Sequence, residues 1–393
     1  MAATNAPRAS AGEPGSPWAI GADEGGHDAI HQELGDLDDF ARLVERAREL
    51  GLEIALDLAL QCSPDHPWLA EHPDWFRKRP DGSIAYAENP PKRYEDIVGL
   101  DWESPSWRGL WNAVLGVVTT WVERGVRVFR VDNPHTKPFA LWEWLIPEVR
   151  RRHPEVVFLA EAFTRPAPMR TLAKLGFAQS YTYFTWRTTR RELTEYVEEL
   201  AGETAGYLRP NFFANTPDIL HHSLVEGGRP AFEARLVLAA TLSPSYGIYS
   251  GFEHCENVPV RPGSEEYLHS EKYEAHDRRL DGPLLPLIGR VNAFRREHPA
   301  LQRLEGVTFL ETHQESLLAY ARHHGDDVVL CVVNLDPHRA HEGLVVVPPE
   351  LGLPAAFTVH DVVSDERHRW LVGGNYVRLD PAVFPAHVLA VEP

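Results

Sequence analysis

Three carboxylates stand at the ends of short apolar runs. They are Asp132 in Val-Phe-Arg-Val-Asp-Asn-Pro-His, Glu161 in Val-Val-Phe-Leu-Ala-Glu-Ala-Phe, and Asp218 in Asn-Phe-Phe-Ala-Asn-Thr-Pro-Asp. An acid at the carboxyl end of a buried parallel strand lies at the open mouth of a barrel, where such folds carry out chemistry. Breaking a glycosidic bond with retention needs two carboxyl groups about 5–5.5 Å apart. One attacks the anomeric carbon; the other protonates the leaving oxygen and later deprotonates the acceptor. Neighbouring parallel strands lie about 4.8 Å apart, so Asp132 and Glu161, at the ends of consecutive strands, suit the close pair. Arg130 comes two residues before Asp132, on the same side of its strand. It is expected to keep Asp132 ionised by charge pairing. Taken singly, each acid also fits a turn carboxylate or a helix N-cap; three of them beside an arginine point to glycosidic chemistry.

The elements that must hold these acids alternate. Leu37, Phe40, Leu43, Val44, Ala47 and Leu50 recur at helical spacing, with Asp36 as N-cap and Gly51 as stop. Strands are expected at 52–60, 126–131, 156–159, 178–182, 211–214 and 245–249. Between them, helices are expected along the Trp107–Trp121 stripe and at 141–151, 192–200 and 231–240, with a last one through Leu284 and Phe294. Repeated βα units imply a parallel sheet, and a barrel is its natural closure. Six such strands are counted, where a closed barrel takes eight. Beyond 300 the pattern becomes short runs separated by Gly, Pro and Asp turns, with Gly373-Gly374 as a hairpin signal. Residues 300–393 therefore read as a separate antiparallel β domain, a sandwich. The stretch 63–105 has little periodicity and reads as a functional loop insertion over the barrel mouth.

Composition narrows the partners. A formal charge of −18 over 393 residues argues against nucleic acid and against an anionic membrane surface, both of which need a basic face. No apolar run approaches the ~18 residues of a membrane span. The three cysteines, Cys62, Cys255 and Cys331, are scattered and lack metal-ligand spacing, which favours a reducing cytoplasm. Residues 1–16 are rich in Ala, Pro, Gly and Ser and read as a disordered leader. Trp107, Trp111 and Trp121 read as core, whereas Trp68, Trp75 and Trp186 suit either core or stacking on sugar faces. His135 and His221 lie near the acidic motifs without a second metal ligand at useful spacing, so hydrogen bonding is expected of them.

Phe-Arg-Val-Asp, Leu-Ala-Glu-Ala and Asn-Thr-Pro-Asp resemble the second, third and fourth sequence regions of the α-amylase superfamily, glycoside hydrolase family 13. Asp57 in Ala-Leu-Asp-Leu-Ala-Leu-Gln-Cys resembles the first, and Tyr249-Ser-Gly-Phe-Glu253 the segment after the eighth strand. Longer strings narrow the likeness. Gln-Cys-Ser-Pro-Asp-His-Pro-Trp, Ala-Glu-Asn-Pro-Pro-Lys, Asp-Asn-Pro-His-Thr-Lys-Pro and Gln-Ser-Tyr-Thr-Tyr-Phe-Thr-Trp-Arg are similar to the α-1,4-glucan:maltose-1-phosphate maltosyltransferase family. Gln61-Cys62 where the superfamily usually has Asn-His, and Asn215-Thr-Pro-Asp218 where it has Asn-His-Asp, agree with that group.

The resemblance implies an α/β fold: a partial (β/α)8 TIM-type barrel holding strands 3 to 8 at 17–299, then the C-terminal antiparallel β domain. On this reading the chain is N-terminally truncated, with an open sheet edge. The resemblance further implies Asp132 as nucleophile, Glu161 as general acid/base and Asp218 as transition-state stabiliser. The donor would be α-maltose 1-phosphate and the acceptor an α-1,4-glucan, with no metal or cofactor and with a homodimer for the full-length family member. Asn133, Lys272 and Tyr273 would contact phosphate, Lys92 and Tyr94 would lie near the donor sugar, and Gln61 and Arg130 would complete the substrate contacts. The alternatives are another amylase-type hydrolase, a trehalose-forming isomerase, or an inactive glucan-binding fragment.

Overall fold

The computed structural model describes residues 19–22, 25–32, 34–89, 92–268 and 278–392. They fall into two compact units that divide after Ser180.

The first unit runs α1 (Leu37–Glu49), β1 (Ala55–Leu58), β2 (Gln61–Cys62), α2 (Pro67–Glu71), β3 (Tyr86–Asn89) and β4 (Lys92–Gly99). It continues with α3 (Trp107–Glu123), β5 (Val128–Val131), α4 (Phe139–Arg152), β6 (Val157–Ala160), α5 (Pro166–Leu175) and β7 (Gln179–Tyr181). Helix α1 starts where expected: the Asp36 carboxylate accepts from the N–H groups of Asp38 and Asp39, and Asp39 returns the bond to the Asp36 N–H. Strands β1, β5, β6 and β7 pair in parallel, with Leu58 opposite Val131, Val131 opposite Ala160, and Ala160 opposite Ser180.

Alternation along β5 and β6 separates two jobs. Phe129, Val131, Phe158 and Ala160 are fully buried in a core with Leu110, Val114 and Val118 of α3 and Leu141, Trp142 and Leu145 of α4. Each large side chain there contributes about 1.5–3 kcal/mol by leaving water. The residues of opposite parity, Arg130 among them, face the other way and are half-buried. Among the described residues β1 pairs on one side only, and Leu43, Leu50 and Leu52 beside it are exposed.

The stretch 63–105, expected as loop, holds α2, β3 and β4, and β4 also pairs with β2 just ahead of it to give a small antiparallel sheet in the order β2-β4-β3. Its periodicity was hidden because β2 has only two residues and the β3–β4 register shifts between Tyr86 and Ala87.

The second unit opens with α6 (Arg190–Ala201), β8 (Pro210–Phe213), α7 (His222–Leu242), β9 (Ser245–Gly247) and α8 (Leu285–Glu297). Strands β8 and β9 pair in parallel. Helix α7 is longer than its apolar periodicity suggested, because two helical stretches meet at a kink where Gly228 has φ 56° and Pro230 follows.

Eight strands complete it: β10 (Val307–Thr312), β11 (Leu317–His324), β12 (Asp327–Asn334), β13 (His341–Val347), β14 (Ala356–Asp361), β15 (Arg367–Leu371), β16 (Gly373–Leu379) and β17 (Ala386–Glu392). They form one antiparallel sheet in the order β15-β14-β17-β12-β11-β10-β13-β16. β10 pairs with β11 through Val307–Leu310 and with β13 through Glu311–Thr312, so it turns the corner between two layers.

The hairpin expected at Gly373-Gly374 does not form. β15 pairs with β14 and β16 with β13, although only Val372 separates them. The Asn375 side chain takes the place of a ladder step, accepting from the Leu371 N–H and donating to the Leu371 carbonyl at 2.8 Å each.

Candidate active site

The two acids of the close pair follow directly on paired strands. The Asp132 N–H donates to the Leu58 carbonyl (3.1 Å) and the Glu161 N–H to the Val131 carbonyl (3.0 Å), so ladder bonds hold both backbones. The two residues are 8% and 6% exposed, which shields their charges from bulk water. Arg130 joins them: Nη2 lies 2.7 Å from Glu161 Oε1, and Nη1 lies 3.8 Å from Asp132 Oδ1 and 3.3 Å from Asp57 Oδ2. The sequence predicted Arg130 as the partner of Asp132, and the structure corrects the emphasis. The guanidinium's shortest contact is with Glu161, because a long side chain crosses to the neighbouring strand more easily than it folds back along its own. Asp57, directly opposite Arg130 in the β1–β5 register, has its pKa raised by burial and by Asp132, with Arg130 opposing.

After Asp132 the chain turns sharply. Asn133 adopts the left-handed conformation, φ 43° and ψ 55°, at which asparagine is one of the more tolerant non-glycine residues. In this pose its N–H faces Glu161 Oε2 (3.4 Å) and its amide donates to Asp132 Oδ1 (3.1 Å). Lys137 was not anticipated from sequence. It is 9% exposed, and its Nζ donates to the Asp132 carbonyl (3.1 Å) and the Asn133 carbonyl (3.3 Å). A lysine between Pro134 and Pro138 carries every mark of a solvated turn residue, and no pattern in the sequence signals its burial.

The remaining expected residues divide. Gln61, half-buried, lies opposite Gly99 in the β2–β4 pair, and Tyr94, also half-buried, lies on β4. The Lys92 side chain, and Lys272 and Tyr273 entirely, lie outside the described residues. Asp218 is half-buried in the second unit, and its N–H donates to Thr216 Oγ1 at 3.2 Å. Its motif is anchored by Asn215, which donates to the Tyr267 hydroxyl (2.6 Å) and accepts from the Tyr249 N–H (2.8 Å). Of the tryptophans left open, Trp75 is core: it is 5% exposed and donates to Ser106 Oγ at 2.9 Å.

His27, Cys62 and His66 are buried with their donor atoms within 4.8 Å of one another, the one such trio among the described residues. The protons decide against a metal there. His66 Nδ1 accepts from the Trp68 N–H at 3.0 Å, so neutral His66 carries its proton on Nε2, the atom that faces His27 Nδ1 at 2.9 Å. His27 Nε2 then donates to the Ala59 carbonyl at 2.9 Å. Every nitrogen is satisfied, and a metal on His66 Nε2 would leave two N–H groups facing each other at the helix cap.

Burial lowers the pKa of His27 and takes that of His66 from 6.5 down to about 4. Between those values the unfolded chain binds protons that the folded chain does not, so stability is full above about pH 6.5 and falls as pH drops toward 4. Urea midpoints measured at about pH 7, 5.5 and 4.5 should decline in that order. The decline should be shallower in His66→Gln; an identical slope in the variant would remove this pair as the cause.

Residues 309–391 match the family described as "GLGE, C-terminal". The chain is 57% identical over 387 residues to α-1,4-glucan:maltose-1-phosphate maltosyltransferase 2 of Streptomyces coelicolor, an alignment covering 96% of this chain and 58% of that protein. It is 53% identical to the corresponding Rhodospirillum rubrum enzyme, covering 99% of this chain and 58% of that one. The chain thus spans a little over half the length of these relatives. In fold it is similar to an α-amylase from Geobacillus thermoleovorans, with TM-score 0.75, 16% identity, and coverage of 95% of this chain and 87% of that one. A maltogenic α-amylase from Thermotoga neapolitana gives TM-score 0.76 at 17% identity, covering 99% and 89%. Over the residues it spans, this chain belongs to the α-1,4-glucan:maltose-1-phosphate maltosyltransferase family.

Proposed function

We propose that the chain carries the catalytic acids of a retaining maltosyltransferase. The observation that bears most weight is that Asp132 and Glu161 end adjacent parallel strands and share one guanidinium. In the first half-reaction an Asp132 oxygen attacks C1 of α-maltose 1-phosphate. The C1–oxygen bond to phosphate breaks, and its electron pair leaves with the phosphate. In the second, Glu161 takes the proton from a 4-hydroxyl at the non-reducing end of an α-1,4-glucan. That oxygen attacks C1 and displaces Asp132, restoring the α configuration.

Asp218 is assigned to stabilising the oxocarbenium-like charge. Arg130 and Asn133 lie beside the acids and suit the phosphate side, with Lys272 and Tyr273 assigned there as well. Gln61, Lys92 and Tyr94 are assigned to the donor sugar. The homodimer and the cytoplasmic location implied by the family belong to the same proposal. None of the described helices is long and apolar enough to cross a membrane, and none of the three cysteines is bridged.

The test is phosphate release from α-maltose 1-phosphate with a maltooligosaccharide present. Release matched by lengthened glucan is expected. Maltose or glucose appearing without acceptor would make the chain a hydrolase instead.

A further inference from the structure

Lys137 is a buried ammonium in a site whose acids are fixed by their neighbours, and burying an ammonium costs several kcal/mol unless it is well solvated by the protein. Its partners are not the carboxylates. They are the main-chain carbonyls of Asp132 and Asn133, the two residues that carry the nucleophile and the left-handed turn. The rest of the turn is tied from the same side. Thr136 Oγ1 donates to the Asn133 carbonyl at 2.7 Å, the Thr136 N–H to the same oxygen at 3.1 Å, and Trp142 Nε1 to the Pro134 carbonyl at 2.9 Å. Asparagine tolerates the left-handed conformation better than most residues but still prefers negative φ. Without these donors the turn would relax toward negative φ. The Asn133 N–H and amide would then swing away from Glu161 and Asp132.

We propose that Lys137 is a positioning residue for both carboxylates: it clamps the carbonyls of Asp132 and Asn133, holds Asn133 between the two acids, and adds a buried positive charge to that of Arg130. This rests on the assignment of Asp132 and Glu161 made above. The charged and titratable groups that bear on it are Arg130 from β5, Asp132 and His135 from the turn after β5, and Glu161 after β6. Burial lowers the lysine's own pKa, and Asp132 and Glu161 oppose that shift.

The experiment compares Lys137→Met, which keeps length but loses charge and donors, with Lys137→Arg, which keeps both. Amide hydrogen exchange at Asn133 and Thr136, the N–H groups of the clamped turn, should speed up in K137M and return toward wild type in K137R. In the transfer assay K137M should lose about 10–100-fold in kcat, the cost typical of a misplaced reacting group. The donor KM should change little, and K137R should recover part of the loss. Lys137→Gln, which keeps a donor without charge, replaces K137M if that variant does not fold.

Unchanged exchange of the turn amides in the uncharged variants would overturn the proposal, as would equal kcat losses in K137M and K137R. If wild-type chain releases no phosphate, the functional reading fails while amide exchange in the turn still decides the role of Lys137.

Discussion

Asp132→Asn should lower maltosyl transfer by about 10⁴-fold or more, because an amide does not form the glycosyl ester and no neighbouring group replaces it. Glu161→Gln should behave differently, and the contrast is the sharper result. A phosphate monoester has its second ionisation near pH 6 (approximately), so the leaving group departs with little help from an acid. The second half-reaction has no such advantage, since a glucan hydroxyl must lose its proton as it attacks. Glu161→Gln should therefore accept the donor, release one equivalent of phosphate and stall as the Asp132 ester, with steady-state transfer down by about 10²–10⁴-fold. Intact-mass measurement after mixing with α-maltose 1-phosphate should show one added maltosyl group in E161Q and none in D132N. An ester in D132N, or peptide mapping that places it on another residue, would reassign the nucleophile.

The second large effect is structural. Arg322, at the middle of β11, is fully buried. Its guanidinium donates to the carbonyls of Leu242 (3.2 Å), Ala300 (3.3 Å), Arg303 and Glu305 (3.5 Å). It thereby solvates four main-chain oxygens that have left water, among them the carbonyl at the end of α7. Burial pushes its pKa down to about 10, still charged at neutral pH. Arg322→Leu would fit the apolar strand but strand those oxygens, at an expected cost of about 3–5 kcal/mol. With urea slopes of about 1–3 kcal/mol per molar, the midpoint should fall by about 1 M or more. A loss below about 1 kcal/mol would mean that water reaches the carbonyls in the variant.

These cases also mark what the sequence could reveal. β5 and β6 were legible because strands buried between sheet and helices become short apolar runs, and Asp132 and Glu161 because a polar residue ending such a run is conspicuous. The side on which Arg130 lies followed from strand parity. Which acid it would reach most closely did not, since that depends on how a long side chain crosses between strands. Lys137 and Arg322 were illegible for a common reason. Both are cations buried against main-chain carbonyls, and carbonyls that converge only in three dimensions leave no mark on side-chain patterning. β15 hides similarly: Arg367-His-Arg-Trp-Leu reads as polar, yet Trp370 is 5% exposed in the core beside Val359 and Val377. The Gly373-Gly374 signal misled: both glycines lie within β16, paired with Val347 and Val346 of β13.

That short link between β15 and β16 also sets an order of events. β11 and β12, joined through Gly325 and Asp326, can zip together as soon as both are available. β16 has no local partner and must wait for β13, across the whole of β14 and β15. Loop-closure entropy places that pairing late. Until it happens, Val345 and Val377 lack the neighbours that cover them in the folded domain. β12 must wait longer still for β17, since Val329 pairs with Ala390, and a nascent chain is exposed to misassociation until that strand docks.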